Sequence, residues 1–403
     1  MEKIIKIYLY IFIPVSLLTG YLLREGYTIS GLTPSLFASA FIFIVIVFEY
    51  FNKVLVGKKI NIEVICSFLV FVFIPIIYIS INGIEYIIEE YKYSINILLP
   101  IITIFYLSYH SKITSLEIDK ILQFCNVVLI INIIISWIFD IGYASYTIGG
   151  QEIGKKGFLY GGNTASVLSI AVLSYYLFDK NNNYSRYLLI ILSLLASILA
   201  KTIASFIAPI LVVIYLITKI KYKYTIPLGI IIIIISPLSF QNLNNYLDDN
   251  YRFQRIKVNE SGSFILQYAE SSRRIIDSYK QIQYQIENPI TIIFGTGRSG
   301  QIEFWDRDEF TFSGTDISDL LMRYGLVGFI LIVYIFVVPA LKYAHNNNIN
   351  NVVIGSLLVM TYSFMGGYVF TSITALMYMS LLISKLNKTM YKLNNKYILY
   401  ENK

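Results

Sequence analysis

The chain has 403 residues, 56% of them hydrophobic and only 14% charged, with a mean hydropathy of +0.64. A soluble protein of this length needs far more charge to cover its surface, so the composition excludes a water-soluble globular fold. The net charge of +7 does not point to nucleic acid, because most Lys and Arg residues sit in short segments between apolar runs, where they set membrane topology.

Apolar runs long enough to cross ~30 Å of hydrocarbon recur along the whole chain. They predict an all-α polytopic membrane protein with about twelve transmembrane helices, a single integral membrane domain over residues 1–403. The spans read 4–22, 33–51, 62–81, 93–109, 121–141, 163–178, 186–200, 202–218, 225–240, 319–341, 351–367 and 370–384. The first run outlasts the apolar part of a cleavable signal and shows no small-residue cleavage site, which predicts a retained helix. Cys66 and Cys125 fall inside spans, where they form neither a disulfide framework nor a metal site.

An even number of spans puts both termini on one side, and charge decides which. Lys53, Lys58 and Lys59 follow the second span, Lys219, Lys221 and Lys223 the eighth, and Lys385, Lys388, Lys392 and Lys396 the twelfth. The opposite short loops carry only Arg24, Lys92, Lys155, Lys156 and Lys201. Both termini are expected in the cytoplasm.

This orientation puts two loops outside. The smaller, 142–162, is glycine-rich and carries Lys155 and Lys156; the larger, 241–318, is long enough to be functional rather than a connector. Within it Ile265, Tyr268, Ile275, Tyr279, Ile282 and Ile286 keep helical spacing, and Asn288-Pro289 stops the run. Arg273, Asp277 and Lys280 recur on the other side. The pattern predicts an amphipathic helix lying at the membrane surface or against the bundle.

Several groups in these loops suit chemistry. Lys201 lies between two apolar runs, where a cation either snorkels or meets an anion. Asp316, Asp319 and Arg323 share one face at the entry to the tenth span, as a paired helix start or as a catalytic carboxylate oriented by arginine. Gly295-Thr296-Gly297-Arg298-Ser299-Gly300 lacks a Gly-Lys-Ser/Thr ending, so it reads as a turn that lets backbone approach a ligand, with Arg298 as a phosphate contact. Asp306-Arg307-Asp308-Glu309 holds an Asp-x-Asp spacing but reads as a solvated loop, and no metal or other cofactor is expected. His110 and His345 both fall on the cytoplasmic side, so an outside site must find its base among Asp, Glu, Tyr or Lys.

The order of these features resembles the O-antigen polymerase (Wzy) and O-antigen ligase superfamily. The resemblance rests on Arg273-Arg274 through Asn288-Pro289, on Phe294-Gly295-Thr296-Gly297, and on Asp316 through Tyr324-Gly325-Leu326-Val327-Gly328. Upstream, Gly157-Phe158-Leu159-Tyr160-Gly161-Gly162-Asn163 and Ala200-Lys201-Thr202 resemble elements before the sixth span and between later ones. No histidine stands near Asp316 or Asp319, where the ligases carry one, which favours the polymerase branch. Lys155 and Lys156 stand where polymerases often have arginine.

The resemblance implies a metal-independent glycosyltransferase with a GT-C-like fold in the bacterial cytoplasmic (inner) membrane. It would join undecaprenyl-diphosphate-linked oligosaccharide repeats in O-antigen or capsule synthesis, with a chain-length regulator and a flippase as partners. Arg273, Arg274, Arg298, Lys201, Lys155 and Lys156 are then expected to bind the diphosphate, and Asp316 or Asp319 to act as base. A ligase, or a flippase for lipid-linked repeats, is the alternative.

Overall fold

A computed structural model of the chain describes residues 1–27, 33–57, 60–148, 151–178, 184–200, 207–212, 215, 273–300, 316–345, 353–359, 369–370 and 372–401. It is mostly helical. Among the described residues six helical runs are long and apolar enough to cross a membrane: Glu2–Arg24, Pro34–Leu55, Ile62–Ile81, Ile84–His110, Ser115–Ile138 and Asp316–Ala344. Two shorter apolar helices, Thr164–Leu177 and Tyr184–Leu199, accompany them. The predicted span at 225–240 lies wholly, and those at 202–218 and 351–367 mostly, outside the described residues.

The second helix shows why these elements belong in lipid. In α2 (Pro34–Leu55), Thr33 accepts the Leu36 amide at 3.2 Å and Pro34 takes the first helical position, so the start is set locally. Ile42, Ile46 and Tyr50 are buried against α1 (Glu2–Arg24) and α5 (Ile87–Phe105). Phe37, Phe41, Ile44 and Phe48 recur on the opposite face, 59–66% exposed. A helix apolar all round has no face for water, and such a stripe is stable only against hydrocarbon.

Between α2 and α5 the chain runs through α3 (Ile62–Phe68), a π-helical turn and α4 (Ile74–Asn82). A capping box of Thr114 with Glu117 opens α6 (Ser115–Ile138), and Glu117 also meets Lys6 at 2.6 Å. That end of the bundle gathers charge: Lys385 of α13 (Ile373–Glu401) pairs with Asp119, and Lys388 donates to the Ser111 carbonyl at 3.2 Å. His110 is here too, its ring 4.6 Å from Tyr50.

The segment between α6 and α7 (Gly162–Leu177) is a β-hairpin, a local departure from the all-α expectation. β1 (Tyr143–Ile148) pairs antiparallel with β2 (Gln151–Gly157), Ile148 opposite Gln151. The Gly149-Gly150 dipeptide between them is a strong signal for a two-residue hairpin loop. From α6, the Asn132 amide donates to the Lys156 carbonyl at 3.2 Å, and its carbonyl accepts the Phe158 amide at 3.0 Å. α8 (Tyr184–Leu199) packs on α7.

The amphipathic helix is α9 (Arg273–Glu287), and it ends where Asn288-Pro289 predicts, with Pro289 opening the short α10 (Pro289–Phe294). Gln281 and Gln285 are buried, whereas Tyr279, Ile282 and Ile286, with Ile290, Ile293 and Phe294 of α10, are 42–77% exposed. The polar stripe docks inward on α11 (Asp316–Phe336): Ser278 and Ser318 hydroxyls are 2.9 Å apart, and Gln285 donates to the Leu321 carbonyl at 2.7 Å. The apolar stripe faces away from α11, as in an interfacial helix. α12 (Val338–His345) continues from α11.

Candidate functional site

α11 is broken. Gly325 has φ 62° and ψ −167°, a conformation open essentially to glycine alone, and it separates two helical halves. The turn at Gly295 (φ 79°) lies directly against the break. A β-carbon on Gly295 would stand 2.3 Å from the Arg323 carbonyl oxygen, and one on Gly325 2.2 Å from that of Ile293. Two backbones therefore touch where neither tolerates a side chain. The carbonyls freed by the break are used: Met322 accepts from the Thr296 amide at 2.6 Å and hydroxyl at 3.0 Å, and Leu321 from Gln285. Tyr78 of α4 donates to the Gly295 carbonyl at 2.7 Å.

This junction brings cations together. The Arg323 guanidinium lies 4.2 Å from the centre of the Tyr93 ring and that of Arg298 lies 5.0 Å from it, so one aromatic ring gathers two guanidinium groups from distant stretches of chain. Both arginines are buried. One turn before Tyr93 on α5, Glu90 is buried and accepts from the Ser299 amide at 2.8 Å and its hydroxyl at 2.7 Å. The glycine-rich turn thus spends the Ser299 donors on a carboxylate of the protein itself, while Arg298 reaches Tyr93.

Tyr93 also lines a cavity of ≈ 420 Å³. Its walls come from α1 (Ser16, Thr19, Leu23), the start of α2 (Thr33, Ser35, Leu36), α5 (Lys92, Asn96), the start of α7 (Tyr160, Gly161, Thr164) and the start of α13 (Ser372, Thr374). It stands at the opposite end of the bundle from His110. From Tyr93 to His110 the helical rise is roughly 25 Å.

The expected site residues fall into distinct places. Arg298 is in the cluster. Asp319 is buried one turn before Arg323, and Gln281 donates to it at 3.4 Å. Asp316 is buried too, and its carboxylate accepts the Val369 amide at 2.6 Å and the Phe370 amide at 3.2 Å, fastening the entry to α13. Asp316→Ala is expected to cost about 1–3 kcal/mol for each stranded amide. The apparent melting temperature in detergent should fall clearly, with Asp316→Asn intermediate because one carbonyl oxygen remains. Arg273 and Arg274 open α9, the helix that docks on the Asp319 turn. Lys201 and Asp306 through Glu309 lie outside the described residues.

Lys155 is held in the hairpin by Asp140 at 2.7 Å and Glu152 at 3.3 Å, which raise its pKa. Lys156 is buried and donates to the Tyr160 carbonyl at 2.8 Å, beside the cavity rim. Burial, and then the charge of Arg24, lower its pKa from 10.5 to about 8. Arg24 itself stands 5.8 Å from the Tyr160 ring. Between about 8 and 10.5 the unfolded chain keeps a proton that the folded one has released, so this group's contribution to stability rises with pH there. Lys156→Met is therefore expected to melt higher than wild type at pH 7, with the gap closing toward pH 10.

The sequence reading missed Glu90 and Tyr93 because it began the fourth span at residue 93 and left the preceding charges to a loop. α5 begins at Ile87, six residues earlier. The signal was present: Glu90, Tyr93 and Ser94 share a helical face, and a carboxylate at the mouth of an apolar span is costly unless it has partners.

Geometry and composition together define the class, a polytopic all-α membrane protein. In comparisons with known proteins no family model and no curated protein match the chain.

Proposed function

We propose that the protein is a polysaccharide polymerase that transfers a growing glycan from undecaprenyl diphosphate to a lipid-linked oligosaccharide repeat outside the cytoplasmic membrane. The observation that carries this reading is the pair of guanidiniums on Tyr93, set at a broken helix beside a cavity walled by hydroxyl and aliphatic side chains. In the transfer, the bond between the anomeric carbon and the diphosphate oxygen breaks as an acceptor hydroxyl oxygen bonds to that carbon. The hydroxyl proton passes to a carboxylate, and the diphosphate leaves with the bond electrons.

Two arginines match what the leaving group needs, since guanidiniums grip phosphate oxygens through paired charge-assisted bonds and stabilise developing charge without a metal. Asp319 is taken as the base in this reading for its place one turn before Arg323 on α11, and Asp316 as the carboxylate that accepts the Val369 and Phe370 amides. Arg273, Arg274 and Lys201 remain further candidates for the diphosphate in this reading, Lys156 lies beside the cavity rim, and Lys155 supports the hairpin. The bundle with its outside interfacial helix is GT-C-like in the same sense.

A flippase for the same lipid is the rival, and the break in α11 is the observation in its favour, because discontinuous helices line substrate sites in transporters. The polymerase reading requires the site to face outward. In a Cys66→Ser background, a cysteine at exposed Gln283 of α9 is expected to react with an impermeant maleimide in outer-membrane-permeabilised cells, and one at Lys3 only after lysis. The reverse pattern would reject the orientation and the polymerase with it.

A further inference from the structure

The cavity beside the arginine pair has a lining that suits one chemistry. Ser16, Thr19, Ser35, Asn96, Thr164 and Thr374 contribute five hydroxyls and a carboxamide, Leu23, Leu36, Leu159 and Ile373 contribute apolar surface, Lys92 adds a cation, and no lining residue is a carboxylate. The hydroxyls are held in place: Ser16 and Thr374 oxygens are 2.5 Å apart, and Thr19 accepts the Ser35 amide at 2.9 Å. Each hydroxyl offers one donor and two acceptor positions, so these bonds leave capacity for a ligand. Tyr93 and Tyr160 add aromatic surface. An acyl chain placed here would cover the leucine and isoleucine surface but leave the hydroxyls and the Asn96 carboxamide without hydrogen bonds. A polyol with apolar C–H faces returns both, and ≈ 420 Å³ falls within the roughly 300–1,000 Å³ of small-molecule sites.

We infer that this cavity is a saccharide site, holding the sugars attached directly to the diphosphate that Arg298 and Arg323 receive. The inference rests on the polymerase reading and adds the place of the sugar. Tyr93 is the shared wall, with guanidiniums on its ring and the cavity beside it, so a sugar–diphosphate junction would lie across its edge.

The test uses two probes: undecaprenyl diphosphate, and the undecaprenyl-diphosphate-linked repeat extracted from cells lacking this protein. Binding to purified full-length protein is titrated by native mass spectrometry for wild type, Thr19→Phe, Asn96→Leu and Thr164→Val. The conservative Thr164→Val removes one hydroxyl at nearly constant shape, and melting curves identify any variant that misfolds. The cavity variants should bind the glycosylated lipid about tenfold more weakly and the bare diphosphate within about twofold of wild type. Arg323→Lys should weaken both. If folded cavity variants bind both lipids as wild type does, or lose both equally, the saccharide site is refuted while the diphosphate reading stands. Wild-type protein that binds neither lipid overturns both.

Discussion

Arg323→Lys is expected to lower glycan transfer about a hundredfold or more while the melting temperature hardly moves, because loss of one group that stabilises leaving charge typically costs ~10²–10³ in rate. The substitution keeps the positive charge. It removes the planar fork and the guanidinium's contact with Tyr93, 4.2 Å from the ring centre. Tyr93→Leu should act in the same direction, since the ring positions both Arg323 and Arg298, whereas Tyr93→Phe keeps the π-face and should remain close to wild type. Initial rates on lipid-linked repeats, measured beside thermal melts, separate chemistry from folding. Near-normal transfer by a folded Arg323→Lys enzyme would move the cation site to Arg273 and Arg274.

The glycine contact should produce the largest stability effect. Gly295→Ala and Gly325→Ala each force a side chain into a conformation reserved for glycine and onto a backbone carbonyl about 2 Å away. Strain and overpacking together are expected to cost about 2–6 kcal/mol per substitution. Gly26→Ala supplies the control: its φ is +74°, but nothing stands within 4 Å of an added β-carbon. It should lose about 1 kcal/mol from backbone conformation alone. Size-exclusion profiles and melting curves in detergent report both effects. Alanine variants at 295 and 325 that melt with wild type would mean that the turn and the broken helix do not meet.

The contrast between what the sequence revealed and what it hid has a physical basis. Span positions were legible because α1, α2, α3–α4, α5 and α6 are apolar over lengths set by the bilayer, and hydropathy averages over many residues. The stop at Asn288-Pro289 was legible because proline chemistry is local. The facing of α9 was not. Periodicity identifies its two stripes, but only the partner decides which is inside, and the polar sides of Gln281 and Gln285 found theirs on α11. The contact between Gly295 and Gly325 joins segments thirty residues apart in sequence number, and each glycine alone reads as an ordinary turn signal. Glu90 was hidden by the rule that charges end a span, although Ser299 supplies the hydrogen bonds that let one remain. Asp316 looked like Asp319 at the level of spacing, and only the amides of Val369 and Phe370 distinguish a fastening carboxylate from a candidate base.

The central claim is tested most directly by reconstitution. Purified protein in liposomes, given only undecaprenyl-diphosphate-linked repeats and a metal chelator, should form a ladder of polymer and release one undecaprenyl diphosphate for every glycosidic bond made. Repeats that cross the bilayer with no new glycosidic bond, or that are transferred only when a different lipid acceptor is supplied, would contradict it.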